Sequence, residues 1–207
     1  MDYLQQGSVA NEALWFQMAH DILSGLEHAH SKGIVHRDLN PKNIILFYEG
    51  ARLIDFGLSR FTEDLNSTRV IGFDGFVAPE IGQGNPQAPI DIFVSATALC
   101  AAGTGKMPWR STEGNYYKSI THDEPDYSGL STNQIALLKR MHAKNPAERP
   151  TATEALRLIE ELSPTTAGMQ IPQNKKVNPV TPVNQFRPQA PLPKKDFGSS
   201  SSTNKFV

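Results

Sequence analysis

The chain has 207 residues, with 20 Lys and Arg, 21 Asp and Glu and a formal net charge of −1. Residues 163–207 carry six basic residues and one acidic residue, so the part that precedes them holds 14 basic and 20 acidic residues. A net-acidic body argues against nucleic acid as its main ligand, and the length allows one domain with a sizeable core, or one domain and a tail.

The first predicted element is a helix that begins after Asn11, a residue whose side chain can cap it. Lys32 and Gly33 supply a cationic last turn and a left-handed stop. Apolar residues recur between them at helical spacing, namely Leu14, Met18, Ile22, Leu26 and Ala29. The alternate spacing of His28 and His30 puts them on different faces of this helix, which argues against a metal pair.

A polar loop between short apolar strands follows the helix. Residues 33–35 predict a strand, residues 36–43 form the loop His-Arg-Asp-Leu-Asn-Pro-Lys-Asn, and residues 44–47 predict the next strand. Residues 51–54 predict its hairpin partner, which leads directly to Asp55. We expect the oxygen-bearing side chains of the loop and of Asp55 to converge, which would suit a magnesium ion.

Residues 55–80 form a long segment with little hydrophobic pattern, which is typical of functional or mobile loops. The next predicted helix, residues 90–102, is apolar nearly all round and must therefore be buried. Pro89 precedes it, Gly103 follows it, and Asp91 interrupts its apolar run.

Two capping boxes predict the last two helices, one opening at residues 131–134 and running to Met141, the other opening at 151–154 and running to Leu162. From Ser163 onward Pro, Ser, Asn, Gln and Lys dominate, and the apolar surface is too small to offset chain entropy. We expect a disordered tail at 163–207, whose basic charge favours anionic partners weakly and whose residues 188–191 could form a polyproline segment for an adaptor domain.

The single cysteine, Cys100, excludes a disulfide framework and favours a reducing compartment. No apolar run reaches the ~18 residues of a membrane-spanning helix, and the N-terminus lacks the order of a signal peptide. We therefore expect a soluble intracellular protein, cytoplasmic or also nuclear.

Three motifs in fixed order resemble those of protein kinases: H-R-D-L-x-x-x-N at 36–43, Asp-Phe-Gly at 55–57 and Ala-Pro-Glu at 78–80. The first fixes five positions, so a chance match in a chain this long has odds of roughly one in ten thousand. The resemblance covers residues 1–162, beginning at the inter-lobe linker. It implies an α+β fold, namely the mainly α-helical C-terminal lobe of a kinase with short β-hairpins at the active-site face.

The resemblance also implies catalytic and ligand-binding roles. Asp38 is where the family places the carboxylate that orients the substrate hydroxyl and accepts its proton, and Asn43 and Asp55 are where it places the ligands of Mg²⁺. Ile45 would form the floor beneath the adenine of ATP, and Asp2 lies in the linker that passes the adenine ring.

Supporting roles follow from the same resemblance. Arg37 would read a phosphate on the activation segment, and His36 and Phe56 would contribute to the hydrophobic column that couples the lobes. An Asp at position 91 would hydrogen-bond the backbone of the catalytic loop, although an acid favoured by the helix dipole is an alternative interpretation. The family also pairs Glu80 with Arg149. The candidate phosphorylation sites are Thr62, Ser67 and Thr68.

Two departures bear on activity: Asn40 stands where serine/threonine kinases usually carry lysine, and Phe73 stands where they carry threonine. Nothing before Asp38 resembles the glycine-rich loop or the lysine of the small lobe. We therefore expect this chain alone to be essentially inactive, with a small lobe supplied elsewhere and a protein Ser/Thr hydroxyl as the substrate. A pseudokinase-like scaffold is the alternative; a small-molecule phosphotransferase is a third, against which Glu80 and Arg149 speak.

Overall fold

The computed structural model describes Val9 and residues 11–47, 50–56, 60–61, 75–81, 87–111 and 116–164. All of them belong to the first of the two units into which the chain divides, Met1–Thr165. The predicted tail lies outside the described residues from position 165 onward.

Five α-helices and four short strands make up this part of the chain. The helices are α1 Glu12–Ser31, α2 Ala88–Thr104, α3 Tyr117–His122, α4 Thr132–Met141 and α5 Ala152–Leu162, with 3-10 turns at Pro41–Asn43 and Pro146–Glu148. The strands are β1 Ile34–Val35, β2 Ile44–Phe47, β3 Gly50–Leu53 and β4 Arg60–Phe61, paired antiparallel as β1 with β4 and β2 with β3. This confirms the predicted mainly helical α+β class; α3 and β4 were not predicted.

Helix α1 begins and ends where the sequence predicts. The Asn11 side chain accepts a hydrogen bond from the Leu14 N–H at 3.1 Å, and Gly33 takes a left-handed φ of 71° just past the helix. Of the apolar residues that recur along the helix, Leu14 lies outside the core, because 46% of that residue is exposed. Trp15 is buried instead, and its indole Nε1 donates to the Leu99 carbonyl at 2.9 Å. This bond joins α1 to α2.

Helix α2 is buried on every side from Ile90 to Ala101, as its uniformly apolar sequence predicts. The sequence predicted that this helix ends before Gly103. The helix instead continues to Thr104, and Gly105, with a φ of 73°, supplies the left-handed end. Gly103 serves packing instead, because a Cβ there would lie 2.5 Å from Leu130 Cδ2 and 3.0 Å from Trp15 Nε1. Neighbouring side chains therefore approach the α2 backbone closely.

Both predicted capping boxes are present, at the starts of α4 and α5. Their two helices pack against each other, and α5 also packs along α1. Within the described residues, none of the helices combines the length and the apolar character needed to cross a membrane. The core formed by α1, α2, α4 and α5 therefore supports the loop and hairpin that carry the predicted site.

Candidate active site

The loop at 36–43 is held against the core by Asp91, in the first turn of α2. Its carboxylate accepts the backbone N–H of His36 at 2.8 Å and that of Arg37 at 2.9 Å, and its Oδ2 lies 2.8 Å from His30 Nε2. Asp91 is fully buried, so three polar partners offset the cost of burying it. Arg37 has a left-handed φ of 66°, a conformation that costs about 1–3 kcal/mol and persists only where neighbours fix it.

His30 was not predicted as part of the site. The sequence indicated only that His28 and His30 lie on different faces of α1, which argues against a metal pair. Because His30 contacts Asp91, α1 also helps to hold the loop at 36–43. Only the packing of α1 on α2, which the sequence does not specify, could have indicated this contact.

Two side-chain amides surround Asp38. Asn43 Nδ2 donates to the Asp38 carbonyl oxygen at 2.8 Å and to its Oδ2 at 3.1 Å. Asn40 Nδ2 donates to the same carbonyl at 3.0 Å and to Oδ1 at 3.3 Å. Asn40 Oδ1 in turn accepts the Lys42 N–H at 2.9 Å. Asn40, the departure from the usual lysine, is therefore integrated into the loop and orients Asp38 without adding a positive charge.

Asp55 follows the β2–β3 hairpin at the end that lies next to the loop at 36–43. The Ile54 N–H donates to the Asn43 carbonyl at 2.9 Å, which joins the residue before Asp55 to the residue before β2. The Ile54 carbonyl lies 3.2 Å from His36 Nε2, and the rings of His36 and Phe56 are 4.5 Å apart between centroids. Asp55 itself has a left-handed φ of 59°. The structure thus attaches the Asp55 segment to both Asn43 and His36.

The hairpin presents an apolar surface beside these polar groups. Ile45, predicted as the adenine floor, lies on β2 and is 37% exposed. The other exposed large apolar residues of this region are Phe47, Ile54 and Phe56. A surface of this kind suits a flat aromatic ring or another apolar partner.

Glu80 and Arg149 form a two-pronged ion pair. Arg149 Nη1 lies 2.5 Å from Glu80 Oε1, and Nη2 lies 2.8 Å from Oε2. The three remaining N–H groups of the guanidinium donate to backbone carbonyls of Pro89, Ala143 and Lys144. The Arg149 side chain is fully buried and that of Glu80 is 16% exposed. This pair connects the segment at 75–81 to the core.

A buried polar cluster below this pair was not predicted. His142 Nε2 lies 3.1 Å from Thr97 Oγ1, and its Nδ1 lies 3.0 Å from the Tyr127 hydroxyl. Phe93 and Trp109 stack 5.8 Å apart beside it. Burial, with smaller contributions from nearby positive charges, lowers the pKa of His142 to about 3. His142 is therefore a neutral structural histidine at ordinary pH.

Several predicted site residues lie outside the described residues: Asp2, Thr62, Ser67, Thr68 and the departure Phe73. The phosphate-reading role of Arg37 therefore stays a prediction. Within the described part of the chain, no group of three or more His, Cys, Asp or Glu side chains could hold a metal ion. The predicted magnesium site uses one carboxylate and one amide, so it is of a different kind.

Comparison with known proteins shows which family this chain is similar to. A sequence model of the family described as "Protein kinase domain" matches residues 1–158. The serine/threonine-protein kinase PkaB of Streptomyces coelicolor is 32% identical over 72% of this chain and 39% of its own length. The probable serine/threonine-protein kinase PkwA of Thermomonospora curvata is 33% identical over 67% of this chain and 19% of its own length.

A plant relative gives the same result. The serine/threonine-protein kinase AtPK2/AtPK19 of Arabidopsis thaliana is 37% identical over 62% of this chain and 28% of its own length. The chain thus spans less than half the length of these three relatives. The family match covers well over half of the chain, and the chain belongs to the protein kinase domain family.

Proposed function

We propose that this chain supplies the catalytic loop and the magnesium-binding residues of a serine/threonine-type protein kinase. The reaction would transfer the γ-phosphoryl group of ATP to a hydroxyl of a protein substrate. The observation that carries the proposal is the loop at 36–43, in which Asp38 is held between the amides of Asn40 and Asn43 and the backbone is fixed by Asp91. Phosphoryl transfer depends mostly on such positioning and on charge neutralisation.

Asp38 has the chemistry of the base in this proposal. Its carboxylate would accept a hydrogen bond from the substrate hydroxyl and take up the proton as the new P–O bond forms and the bond from the γ-phosphorus to the ADP oxygen breaks, releasing ADP. The two amides that contact its oxygens limit the rotation of the carboxylate. Because an amide carries no charge, Asn40 would orient Asp38 without neutralising the transferred phosphate as a lysine does.

Asn43 and Asp55 would hold Mg²⁺, since amide and carboxylate oxygens are the hard ligands that this ion prefers. Asn43 turns its amide nitrogen toward Asp38, so its amide oxygen is the atom for the ion. The bond between the Ile54 N–H and the Asn43 carbonyl joins the backbone of Asn43 to the residue before Asp55, which supports this pairing of ligands. When bound, the magnesium ion would neutralise charge on the ATP phosphates.

Before Asp38, the 207 residues contain neither the glycine-rich loop nor the lysine of a kinase small lobe. The proposed reaction therefore also needs a small lobe from outside these residues. Losing one preorganised donor typically costs 10²–10³ in rate. We expect the 207 residues alone to turn over at least ~10⁴ more slowly than an ordinary kinase at ~1–100 s⁻¹.

The test is to fuse a kinase small lobe before Met1 and to measure phosphate transfer from labelled ATP to proteins and peptides. We expect transfer that requires Mg²⁺ and that Asp38→Asn abolishes. Arg157→Met, an exposed change on α5, is the matched control and should leave the rate unchanged. A fusion that folds and binds Mg·ATP but labels no substrate would refute the proposed activity.

Asn40 favours a second candidate, a pseudokinase-like scaffold, because the usual lysine is missing from the catalytic loop. Magnesium-dependent nucleotide binding separates the two proposals. A kinase should bind ATP more tightly when Mg²⁺ is added, and Asp55→Asn should remove that gain. A scaffold would bind nucleotide weakly in both conditions.

A further inference from the structure

An acidic side chain on α1 contacts the backbone of the β2–β3 hairpin at the end opposite the loop at 36–43. Asp21 Oδ2 accepts the Ala51 N–H at 2.9 Å, at the start of β3. Its Oδ1 accepts the Gln17 amide at 2.9 Å, and His20 Nδ1 lies 3.5 Å from the same oxygen. The Asp21 side chain is 23% exposed, so these contacts are only partly screened by water.

The approach of Asp21 depends on a glycine in the hairpin. A Cβ at Gly50 would lie 2.1 Å from Asp21 Oδ2, and Gly50 has a φ of 149° that side chains rarely adopt. Any other residue at position 50 would push the carboxylate away from the Ala51 N–H. The bond between α1 and β3 therefore depends on both the carboxylate at position 21 and the glycine at position 50.

A second contact between α1 and β3 lies one turn further along the helix, at Gly25, and two residues further along the strand, at Leu53. A Cβ at Gly25 would be 3.4 Å from Leu53 Cδ1, so the Leu53 side chain packs directly on the helix backbone. Positions 21 and 25 share one face of a helix, and positions 51 and 53 share one face of a strand. The polar contact and the apolar contact together define one register of β3 on α1.

That register determines where the proposed magnesium ligands lie. Asp55 follows Leu53 by two residues, and Asn43 directly precedes β2, the partner of β3. The hairpin is joined to the catalytic loop at one end, by the bond from Ile54 to Asn43, and to α1 at the other, by Asp21. A strand of four residues spans only ~13 Å, so a shift at Ala51 would be carried to Asp55.

We propose that Asp21 is a positioning residue that sets the register of the β2–β3 hairpin on α1 and thereby places Asn43 and Asp55 toward Mg·ATP. The mechanistic part of this inference rests on the proposed kinase function. Asp21 contacts neither nucleotide nor reacting atoms; it acts through the backbone of the hairpin.

The electrostatics of Asp21 agree with that geometry. Burial alone would raise the pKa of the Asp21 carboxyl, but hydrogen bonds from His20, the Ala51 N–H and the Gln17 amide outweigh it and lower the pKa. The carboxylate is therefore charged at neutral pH, and a charged acceptor strengthens its bond to the Ala51 N–H.

The first measurement is hydrogen exchange at the Ile54 amide, which Asp21 does not touch. We expect Asp21→Leu to speed exchange there by about 10-fold or more, the effect of losing one bond to a charged group. Asp21→Asn should restore protection because its amide oxygen can accept the Ala51 N–H. Gln17→Ala removes a partner of Asp21 but leaves the bond to Ala51 intact, so it should leave Ile54 exchange within about twofold of the parent.

Exchange in α4 reports whether the fold survives. If Asp21→Leu does not fold, Asp21→Ser replaces it, because the serine hydroxyl is too short to reach the Ala51 N–H. Faster exchange at Ala51 alone, with Ile54 unchanged, would overturn the proposal, since the contact would then be only local.

The second measurement uses the fusion with a small lobe. We expect Asp21→Leu to raise the KM for Mg·ATP about 10-fold while the KM for the peptide substrate stays within about twofold, with Asp21→Asn close to the parent. Equal increases in both KM values would overturn the placement of the ligands. If the parent fusion transfers no phosphate while Ile54 exchange still responds, the kinase function fails and the hairpin register stands.

Discussion

Replacing Arg149 by Met should destabilise the fold more than any exposed charge change, because five N–H donors lose their position at once. The guanidinium contacts both Glu80 oxygens and three backbone carbonyls, and its central carbon lies 4.8 Å from the centre of the Phe93 ring. Methionine matches much of the volume but none of the donors. The main effect is therefore electrostatic, since the Glu80 carboxylate stays in place without its partner.

Breaking a buried pair on one side costs about 3–5 kcal/mol. Glu80 is 16% exposed, so water can solvate part of its charge and we expect the lower end, about 3 kcal/mol. Replacing Glu80 by Leu in the same chain removes the orphaned charge. The double variant should therefore be more stable than the sum of the two single changes predicts, by about 1–3 kcal/mol.

Urea unfolding of the parent and the variants measures this effect. With a slope of ~2 kcal/mol per M of urea, the midpoint of Arg149→Met should fall by ~1.5 M. Arg157→Met, an exposed change on α5, is the matched control and should stay within ~0.5 kcal/mol. Equal midpoints for Arg149→Met and Arg157→Met would refute the reasoning, because the pair would then contribute nothing beyond a surface contact.

Three other changes test the core and the site. Asp91→Asn should lower the free energy of unfolding by about 2–3 kcal/mol and speed amide exchange at Arg37; unchanged exchange would mean that Asp91 does not hold the loop. The folded pKa of His142 is about 3 against an ordinary 6.5, so the unfolded chain takes up the proton first as pH falls. As pH falls between those values, the free energy of unfolding of the parent should decrease by ~1.4 kcal/mol per pH unit relative to that of His142→Gln. Urea unfolding at several pH values measures this, and parallel profiles for the two proteins would contradict it. Asp55→Asn should weaken ATP binding at least about 10-fold with Mg²⁺ present and little without it, measured by calorimetry; equal weakening in both conditions would exclude a ligand role.

Local patterns predicted the helices well where capping and periodicity agree. The boxes opening at Ser131 and Thr151 each determine a helix start within their own four residues, so no distant contact is needed to predict them. The end of α2 was harder, because Gly103 and Gly105 are both helix-ending residues by type. Gly103 leaves room for Leu130 and Trp15 against the helix backbone, while Gly105 ends the helix; such packing is not visible in a local pattern.

The short elements and the polar contacts depended on the fold. Strand β4 has two residues and exists by pairing with β1, so its own sequence carries little signal. The motif at 36–43 indicated which residues belong to the site, and the resemblance implied that Asp91 supports them. The contribution of His30 could not be predicted, because 61 positions separate it from Asp91 along the chain.

The buried helix α2 has a consequence for motion. Its first turn holds the loop at 36–43 through Asp91 and contacts the ion pair through the Pro89 carbonyl, while the Phe93 ring lies against the Arg149 guanidinium. The loop at 36–43 and the segment at 75–81 are thus both attached to the start of one buried helix. We therefore expect α2 to stay fixed in the core, with any conformational change confined to the segments attached to it.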